Sequence, residues 1–440
     1  MKRLIKTFAL IAAITLTATS CKVDVINRIR QEPEPRAKAE IYYTAKRIIS
    51  PARTGRAIEY LQIPELSSAE QLRGVWISQF DMHPVYRSGA KQRDKDDYSR
   101  LVDIMLRNLS RDGFMTVFLQ VRPNGDSMYE SEIYPNSKYV AGTYGGSTDY
   151  DALEIFLNKA KEYSISVHAW INPYRLCYER ELINYGGTSV LKEWYGDIGG
   201  RIKRGADGLL YLDPAYKEAT ELIAAGADEI LEKYAFDGIH IDDYFYPTEF
   251  EFDDSKEFRE SEYADLGEFR RDNVTRTVKA LYEVAHSHGK LFGIAPAGNI
   301  YSLADGWYAD VYKWCGEEGY CDYVIPQLYF GFKNACCPFE KILSDWESAV
   351  GSESVALYIG LSAAKCAAGS EGKPDEYAGT DGKYEWRDEK DVLAREMAII
   401  NQSEKAKGFC LFTYSSLYDP LTGAENELIA AEKAAFQPYF

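Results

Sequence analysis

Short apolar runs alternate with segments of helical periodicity along most of this chain. Eight runs are rich in β-branched and aromatic residues, and we predict them to be strands: 73–78, 116–122, 166–172, 238–244, 291–296, 323–329, 356–362 and 408–414. The segments between them carry apolar residues three and four positions apart, as at Tyr98, Leu101, Val102 and Met105. Eight strand and helix units predict an α/β fold of the (β/α)8 barrel class, with a parallel sheet covered by helices.

Long connections follow several of the predicted strands, at 173–212, 245–265 and 363–388. In a barrel, these connections all lie on the face that carries the active site, so they predict an extended cleft suited to a polymer. An open doubly wound sheet is the alternative fold. Its glycine-rich phosphate turn is missing after the first strand, where the chain reads Ser78-Gln-Phe-Asp81.

The first 70 residues differ in character from the rest of the chain. Residues 1–21 contain Lys2 and Arg3, an apolar run at 8–16 and small residues before Cys21, which is typical of a lipoprotein signal peptide with a lipidated cysteine. An ordinary cleaved signal with an incidental cysteine is the alternative. We predict a tether at 22–70 and a barrel domain at 71–437. We expect a lipid-anchored protein of the bacterial cell envelope, in the outer membrane and facing the periplasm or the surface.

The formal net charge of the chain is −17, which argues against nucleic acid and other polyanionic partners, since a phosphate-binding face must be basic. Aromatic residues make up 14% of the chain, and 34 of them are tyrosines. Rings near strand ends stack on sugars while their polar tips bond hydroxyl groups, so this composition favours a polysaccharide or other glycan. No feature indicates a cofactor or an obligate protein partner.

Two adjacent acids follow the fourth predicted strand, in the motif F-D-G-I-H-I-D-D-Y-F-Y-P at 236–247. Strand alternation puts His240, Asp242 and Tyr244 on one face and Asp243 on the other, so Asp242 is the leading catalytic candidate. Glycoside hydrolysis needs a second carboxyl group, which we expect from another strand end. Asp126 is the first choice and Asp243 the second. The alternatives are a turn-capping role for Asp126 after Asn124-Gly125, and loop-capping or arginine-paired roles for the adjacent acids.

Other polar and aromatic side chains at predicted strand ends are candidates for orienting or stacking a substrate. They are Trp76, Arg122, His168, Trp170, Asn172, Arg175, His240, Tyr244, Gln327 and Tyr329.

A metal-dependent deacetylase or amidohydrolase-type barrel is a second hypothesis, because His168, His240 and Asp242 could form a divalent-metal site. Such barrels normally add an H-x-H pair on the first strand, which here reads Gly74-Val-Trp-Ile-Ser-Gln79. We therefore predict no metal. A third hypothesis is a non-catalytic, glycan-binding surface lipoprotein.

An ordered series of motifs resembles the glycosyl hydrolase-like 10 family, also called domain of unknown function 187. The motifs are R-G-V-W-I-S, F-L-Q-V-R-P-N-G-D-S-M-Y, H-A-W-I-N-P-Y-R, Y-L-D-P, F-D-G-I-H-I-D-D-Y-F-Y-P, A-P-A-G-N and I-P-Q-L-Y. The resemblance implies a (β/α)8 barrel with glycosidase activity, and the family includes envelope lipoproteins, some of which act on peptidoglycan glycan strands. It also implies that Asp126, Asp242 and Asp243 are active-site candidates.

The fourth strand is also similar to the chitinase signature D-G-x-D-x-D-x-E. Here His240 replaces the first acid, Asp242 matches the second, and Tyr244 stands where the catalytic glutamate would be. This departure disfavours the chitinase mechanism. The expected function is therefore a glycoside hydrolase that cleaves O-glycosidic bonds of an envelope or environmental polysaccharide, peptidoglycan glycan strands included, through two carboxyl groups.

Overall fold

The computed structural model describes residues 71–196, 200–243, 245–247 and 252–440. Eight parallel strands close into a barrel in chain order, because the first strand pairs with both the second and the last. The strands are β1 (Leu72–Ile77), β2 (Thr116–Arg122), β3 (Ser166–Ile171), β4 (Gly238–Ile241), β5 (Leu291–Ile294), β6 (Tyr323–Val324), β7 (Ala356–Ser362) and β8 (Ala406–Phe412). The predicted (β/α)8 fold is confirmed.

One main helix follows each strand in sequence and covers the barrel. The helices are α1 (Lys95–Arg111), α2 (Ala152–Glu162), α3 (Lys217–Lys233), α4 (Leu266–Ser287), α5 (Val311–Gly316), α6 (Phe339–Ala349), α7 (Val392–Ile400) and α8 (Ala430–Phe436). Helix α1 shows why these segments are helical. The Asp94 carboxylate accepts the Asp97 backbone N–H at 2.9 Å and caps the helix, and the apolar face with Tyr98, Leu101 and Met105 is buried.

The long connections after the strands carry further short elements. The helices among them are Gln79–Tyr86, Lys138–Ala141, Glu179–Asn184, Val190–Gly196, Ser255–Glu260, Ala363–Ser370, Gly379–Gly382, Glu385–Asp388 and Tyr414–Leu417. Single helical turns lie at Ile300–Ser302, Leu303–Trp307, Glu427–Ile429 and Gln437–Tyr439. Two small antiparallel sheets pair Arg87–Ser88 with Lys91–Gln92, and Leu209–Leu212 with both Arg175–Tyr178 and Ile202–Arg204. Except for Gln437–Tyr439, which follows α8, these elements build up the face at the carboxyl ends of the strands.

Large side chains fill the inside of the barrel. Trp76, Trp170 and Tyr323 are at most 5% exposed and pack in one interior cluster. Glycines on the neighbouring strands make room for them. A Cβ on Gly293 would lie 1.9 Å from the Tyr323 ring, and one on Gly238 would lie 2.5 Å from a nitrogen of the His168 ring. The interior is therefore a packed floor, and any site must lie above it at the barrel mouth.

The described residues contain no helix that is both long enough and apolar enough to cross a membrane. Described elements run from Leu72 in β1 to the turn Gln437–Tyr439. The predicted signal peptide, the lipidation site Cys21 and the tether at 22–70 lie outside the described residues.

Candidate active site

Asp242 follows β4 directly. It accepts the last of three hydrogen bonds that link four residues in series. Asn172, one residue after β3, donates from Nδ2 to Asp242 Oδ1 at 2.6 Å. Gln120 on β2 donates from Nε2 to Asn172 Oδ1 at 2.7 Å, and the backbone N–H of Gln79 donates to Gln120 Oε1 at 2.9 Å. All four side chains are at most 6% exposed. We call Gln79, Gln120, Asn172 and Asp242 the amide relay.

The direction of every hydrogen bond in the relay is fixed by its first member. A backbone N–H can only donate, so Gln120 must present its carbonyl oxygen to Gln79 and its amino group to Asn172. Asn172 must then turn its own amino group toward Asp242. The relay therefore holds Asp242 Oδ1 as a hydrogen-bond acceptor, and a hydrogen bond of this kind favours the charged carboxylate that a nucleophile or a general base requires.

Asp243 also turns toward the barrel mouth, although strand alternation alone would direct it outward. Gln327 Nε2 donates to Asp243 Oδ1 at 3.2 Å and to the Ala295 carbonyl oxygen at 3.1 Å. The carbonyl can only accept, so it fixes the orientation of this amide too. The ladder of β4 ends at Ile241, which releases the backbone at Asp243 from the strand geometry.

Tyr329 lies close to both acids. Burial raises the pKa of its hydroxyl well above its usual range, and the charges of Cys410, Asp243 and Asp242 raise it further. Its ring packs 5.7 Å from the ring of Phe412 at the end of β8. The structure thus brings Asp242, Asp243 and Tyr329 together at the mouth.

His168 and His240 lie beneath the acids and share the hydroxyl of Tyr323. Their Nδ1 atoms are 2.8 Å and 3.3 Å from Tyr323 Oη, and Trp76 Nε1 donates to His240 Nε2 at 3.1 Å. Because the indole N–H can only donate, a neutral His240 carries its proton on Nδ1 and donates to Tyr323, which in turn donates to His168.

Both imidazoles are held in the neutral form. Burial lowers the pKa of His168 to about 4, and burial together with the neighbouring His168 lowers the pKa of His240. Both ring nitrogens of His240 are engaged by Trp76 and Tyr323, so neither is directed at a metal shared with Asp242. No group of three potential metal ligands converges within the described part of the chain.

Asp126 lies in the connection after β2 and is 1% exposed. The Asn124 backbone N–H donates to its Oδ1 at 3.2 Å, as expected of a turn-capping aspartate. Burial raises its pKa to about 6, against the opposing effects of a hydrogen bond with Ser137 and the charge of Lys138. Asp126 can therefore hold a proton near neutral pH, but these partners belong to its own connection.

The remaining candidates lie in different parts of the barrel. Trp170 lies inside the barrel, and its indole N–H has no hydrogen-bond partner among the described residues. Arg175 donates from Nε to the Pro123 carbonyl oxygen at 2.9 Å. Arg122 is 2% exposed and donates to the Tyr134 hydroxyl, which bonds helix α3, so the structure does not bring Arg122 to the mouth. Tyr244 lies outside the described residues.

Comparison with known proteins decides the family. The sequence profile described as Glycosyl hydrolase-like 10 matches residues 71–377, which is more than half of the chain. The chain belongs to the glycosyl hydrolase-like 10 family. It is 26% identical over 407 residues to glycosyl hydrolase YngK of Bacillus subtilis, covering 84% of this chain and 73% of that protein. It is 29% identical over 346 residues to glycosyl hydrolase DigH of Escherichia coli K12, and the match covers 70% of this chain and 76% of that protein.

Solved structures with a similar backbone include the catalytic domain of β-amylase from Paenibacillus polymyxa. That chain has a TM-score of 0.49 and 10% identity, with 84% of this chain and 97% of that chain covered. The PgaB (BpsB) glycoside hydrolase domain from Bordetella bronchiseptica has a TM-score of 0.46 and 12% identity, and the match covers 80% of this chain and 95% of that chain.

Sequence reasoning missed two members of the amide relay in this glycosyl hydrolase-like 10 protein. Gln120 is a polar residue within the apolar run 116–122, and that exception to the strand pattern was the available signal. Gln79 contributes its backbone N–H, for which no side-chain signal exists. Asp81 supports the same region, because it accepts from Ser78 in a capping box and from Thr413 Oγ1 at 3.2 Å, which ties β1 to β8.

Proposed function

We propose that this protein is a glycoside hydrolase that cleaves O-glycosidic bonds through two carboxyl groups, with Asp242 as the ionised one. The amide relay carries this proposal. It holds a buried carboxylate oxygen as an acceptor at the mouth of a barrel, where enzymes of this fold place their catalysts. The family and the names of the relatives YngK and DigH support the same reaction class.

The second carboxyl group must be protonated so that it can release the leaving oxygen. Asp243 is our first choice, because it shares the mouth with Asp242 and is oriented by Gln327. Asp126 is the second choice, because burial raises its pKa to about 6 and keeps it protonated in part of the neutral range. This order reverses the one that the sequence suggests.

The substrate we propose is a glycan of the cell envelope, with peptidoglycan glycan strands as the first to test. Long connections after β3, β4 and β7 favour a polymer, and the chain's strong negative charge favours a neutral or weakly charged one. A lipid anchor on Cys21 would hold the enzyme beside such a substrate in a bacterial envelope.

The test is digestion of purified peptidoglycan strands, with and without their peptides, alongside a panel of other glycans, read by mass spectrometry. The parent protein should release hydrolysed fragments, and Asp242→Asn should abolish their release while unfolding at the same urea concentration. Asp305→Asn is the matched control, since that side chain is 90% exposed, and it should retain activity. Full activity in Asp242→Asn would overturn the assignment.

Two further outcomes would replace the proposal. Binding of glycans without any product would indicate a non-catalytic, glycan-binding lipoprotein. Activity that is lost with a chelator, restored by zinc or manganese and accompanied by acetate release would indicate the metal-dependent deacetylase class.

If the hydrolase proposal holds, a side-by-side assay of Asp243→Asn and Asp126→Asn identifies the second carboxyl group. It is the one whose substitution causes the larger loss of kcat.

A further inference from the structure

Three aromatic rings lie together on the rim of the barrel mouth, and one of them, Tyr139, is half-buried. Phe80 is 61% exposed, and its ring centroid lies 6.1 Å from that of Tyr139 in an edge-on arrangement. The His83 ring lies 5.8 Å from Tyr139 on the same helix as Phe80. We call Phe80, His83 and Tyr139 the rim platform. A single exposed apolar residue needs no explanation, but three grouped rings beside a candidate active site do.

The rim platform is held by its surroundings. The Phe80 backbone N–H donates to Ser78 Oγ at 3.2 Å, within the capping box that Ser78 forms with Asp81. Gln79 Nε2 donates to the Tyr139 hydroxyl at 3.4 Å and so joins the two connections that carry the rings. The backbone at Phe80 and the ring of Tyr139 are thus fixed before a ligand binds, which lowers the conformational entropy lost on binding.

The platform is continuous with the candidate active site. Gln79 contacts Tyr139 through its side chain and begins the amide relay to Asp242 through its backbone N–H. The platform lies on the connections after β1 and β2 and Asp242 follows β4, so both lie at the carboxyl ends of strands of the same barrel. A depression of about 370 Å³ adjoins it, and His83, Arg87, Lys138 and Thr143 are among the residues that line it. That volume is within the range of small-ligand sites.

We propose that the rim platform is a distal sugar subsite, which stacks the apolar face of one pyranose ring of a bound glycan away from the cleaved bond. The depression beside it accommodates the polar substituents of that sugar. His83 suits this role as a neutral ring, because burial and the charge of Arg87 lower its pKa. The inference rests on the proposed function, since it takes the ligand to be the glycan that enters the mouth.

The test measures binding in an Asp242→Asn background, so that it does not depend on turnover. Calorimetry with purified peptidoglycan strands, and with chitin and cellulose oligosaccharides of graded length, gives the affinity for each probe. Adding Phe80→Ala should weaken binding of the longest recognised chains about tenfold, the loss expected for one ring stack. Phe80→Trp should restore it. The control Tyr312→Ala removes another exposed ring, which is 53% exposed on α5, and should leave affinity unchanged.

In the active protein, Phe80→Ala should raise KM about tenfold for long chains and so close the gap in KM between long and short chains. Equal affinity of the Phe80→Ala and parent proteins for every probe that the parent binds, or the same loss in Tyr312→Ala, would overturn the subsite. The hydrolase proposal and the subsite proposal can be refuted independently of each other. If the parent binds glycans and cleaves none, but Phe80→Ala still weakens binding, the subsite stands and the hydrolase assignment falls.

Discussion

Arg270→Met should destabilise the protein strongly through the segment that follows the catalytic candidates. Arg270 on α4 donates to Asp254 from Nε at 2.7 Å and from Nη2 at 2.5 Å, and the Tyr246 hydroxyl donates to the same carboxylate at 2.5 Å. The Asp254 side chain is 1% exposed and that of Arg270 is 12% exposed. Tyr246 is three residues beyond Asp243, so this buried cluster holds the connection that carries the acids.

The magnitude follows from the state of Asp254 after its partner is removed. Breaking a buried ion pair by deleting one partner typically costs about 3–5 kcal/mol. The Asp254 carboxylate that is left without its arginine can instead take up a proton. For a carboxyl group with an ordinary pKa near 3.9, protonation at pH 7 costs roughly 4 kcal/mol. We therefore expect a loss of about 3–4 kcal/mol at pH 7, and of about 1.5 kcal/mol at pH 5, where protonation is easier.

The pH dependence has a definite sign. Burial alone would raise the pKa of Asp254, but hydrogen bonds from Arg270 and Tyr246 outweigh it and hold the pKa below its usual value. In the parent, this contribution to stability is present at neutral pH and is lost as the pH falls through the lowered pKa. In Arg270→Met the hydrogen bonds from Arg270 are gone and burial raises the pKa of Asp254, so the folded variant takes up a proton more readily than its unfolded chain does. Its stability deficit relative to the parent must therefore shrink between pH 7 and pH 5.

Urea unfolding followed by tryptophan fluorescence at pH 7 and pH 5 measures this deficit. Arg271→Met is the matched control from the next position of α4. Arg271 contacts Asp305 at 3.3 Å and Asp265 at 3.9 Å, and these acids are 90% and 67% exposed, so its loss should cost less than about 1 kcal/mol. Equal effects of the two substitutions, or a deficit that grows as the pH falls, would refute the reasoning.

Three further predictions concern the mouth. Gln120→Leu should lower kcat at least tenfold and cost about 1–3 kcal/mol of stability, because it leaves buried relay groups without partners; steady-state kinetics and urea unfolding measure both. The pKa of Asp126 is raised to about 6, so stability should fall as pH rises from about 4 to about 6, and urea unfolding of Asp126→Asn across that range should show a shallower fall. Nitrogen NMR from pH 5 to 8 should find both His168 and His240 neutral, with the proton on Nε2 of His168 and on Nδ1 of His240. A cationic ring at pH 6 would contradict the hydrogen bonds that both histidines make with Tyr323.

The barrel could be predicted from the sequence because its strands are apolar runs and its helices have one apolar face. All eight predicted runs contain a strand, but their ends were less predictable. The run 323–329 forms only the short strand Tyr323–Val324, since Pro326 has no N–H to donate to a ladder. The run 238–244 ends as a strand at Ile241.

The candidate site was partly predictable, because polar side chains at the ends of the predicted strands mark the barrel mouth. Alternation along β4 applies only up to Ile241, where the ladder ends, so it does not separate Asp242 from Asp243. The inward turn of Asp243 depends on Gln327, which is 84 positions away, and no local pattern encodes that contact. Likewise, Gln120 and Asn172 are 52 positions apart, so their hydrogen bond exists only once β2 and β3 lie side by side. The sequence supplied the candidates, and long-range packing selected among them.

The amide relay also restricts how this barrel can diverge. Positions 120 and 172 each need a side chain that accepts a hydrogen bond at one end and donates one at the other, and the amides of glutamine and asparagine meet this need in every protonation state of their neighbours. A carboxylate at either position would bring two acceptors together and break the sequence of bonds from Gln79 to Asp242. A chimera that takes its first two strands from another barrel would therefore have to bring a matching amide with it. The first four strand ends of the barrel are thus coupled by one series of hydrogen bonds, although its members are spread over more than 160 positions of the chain.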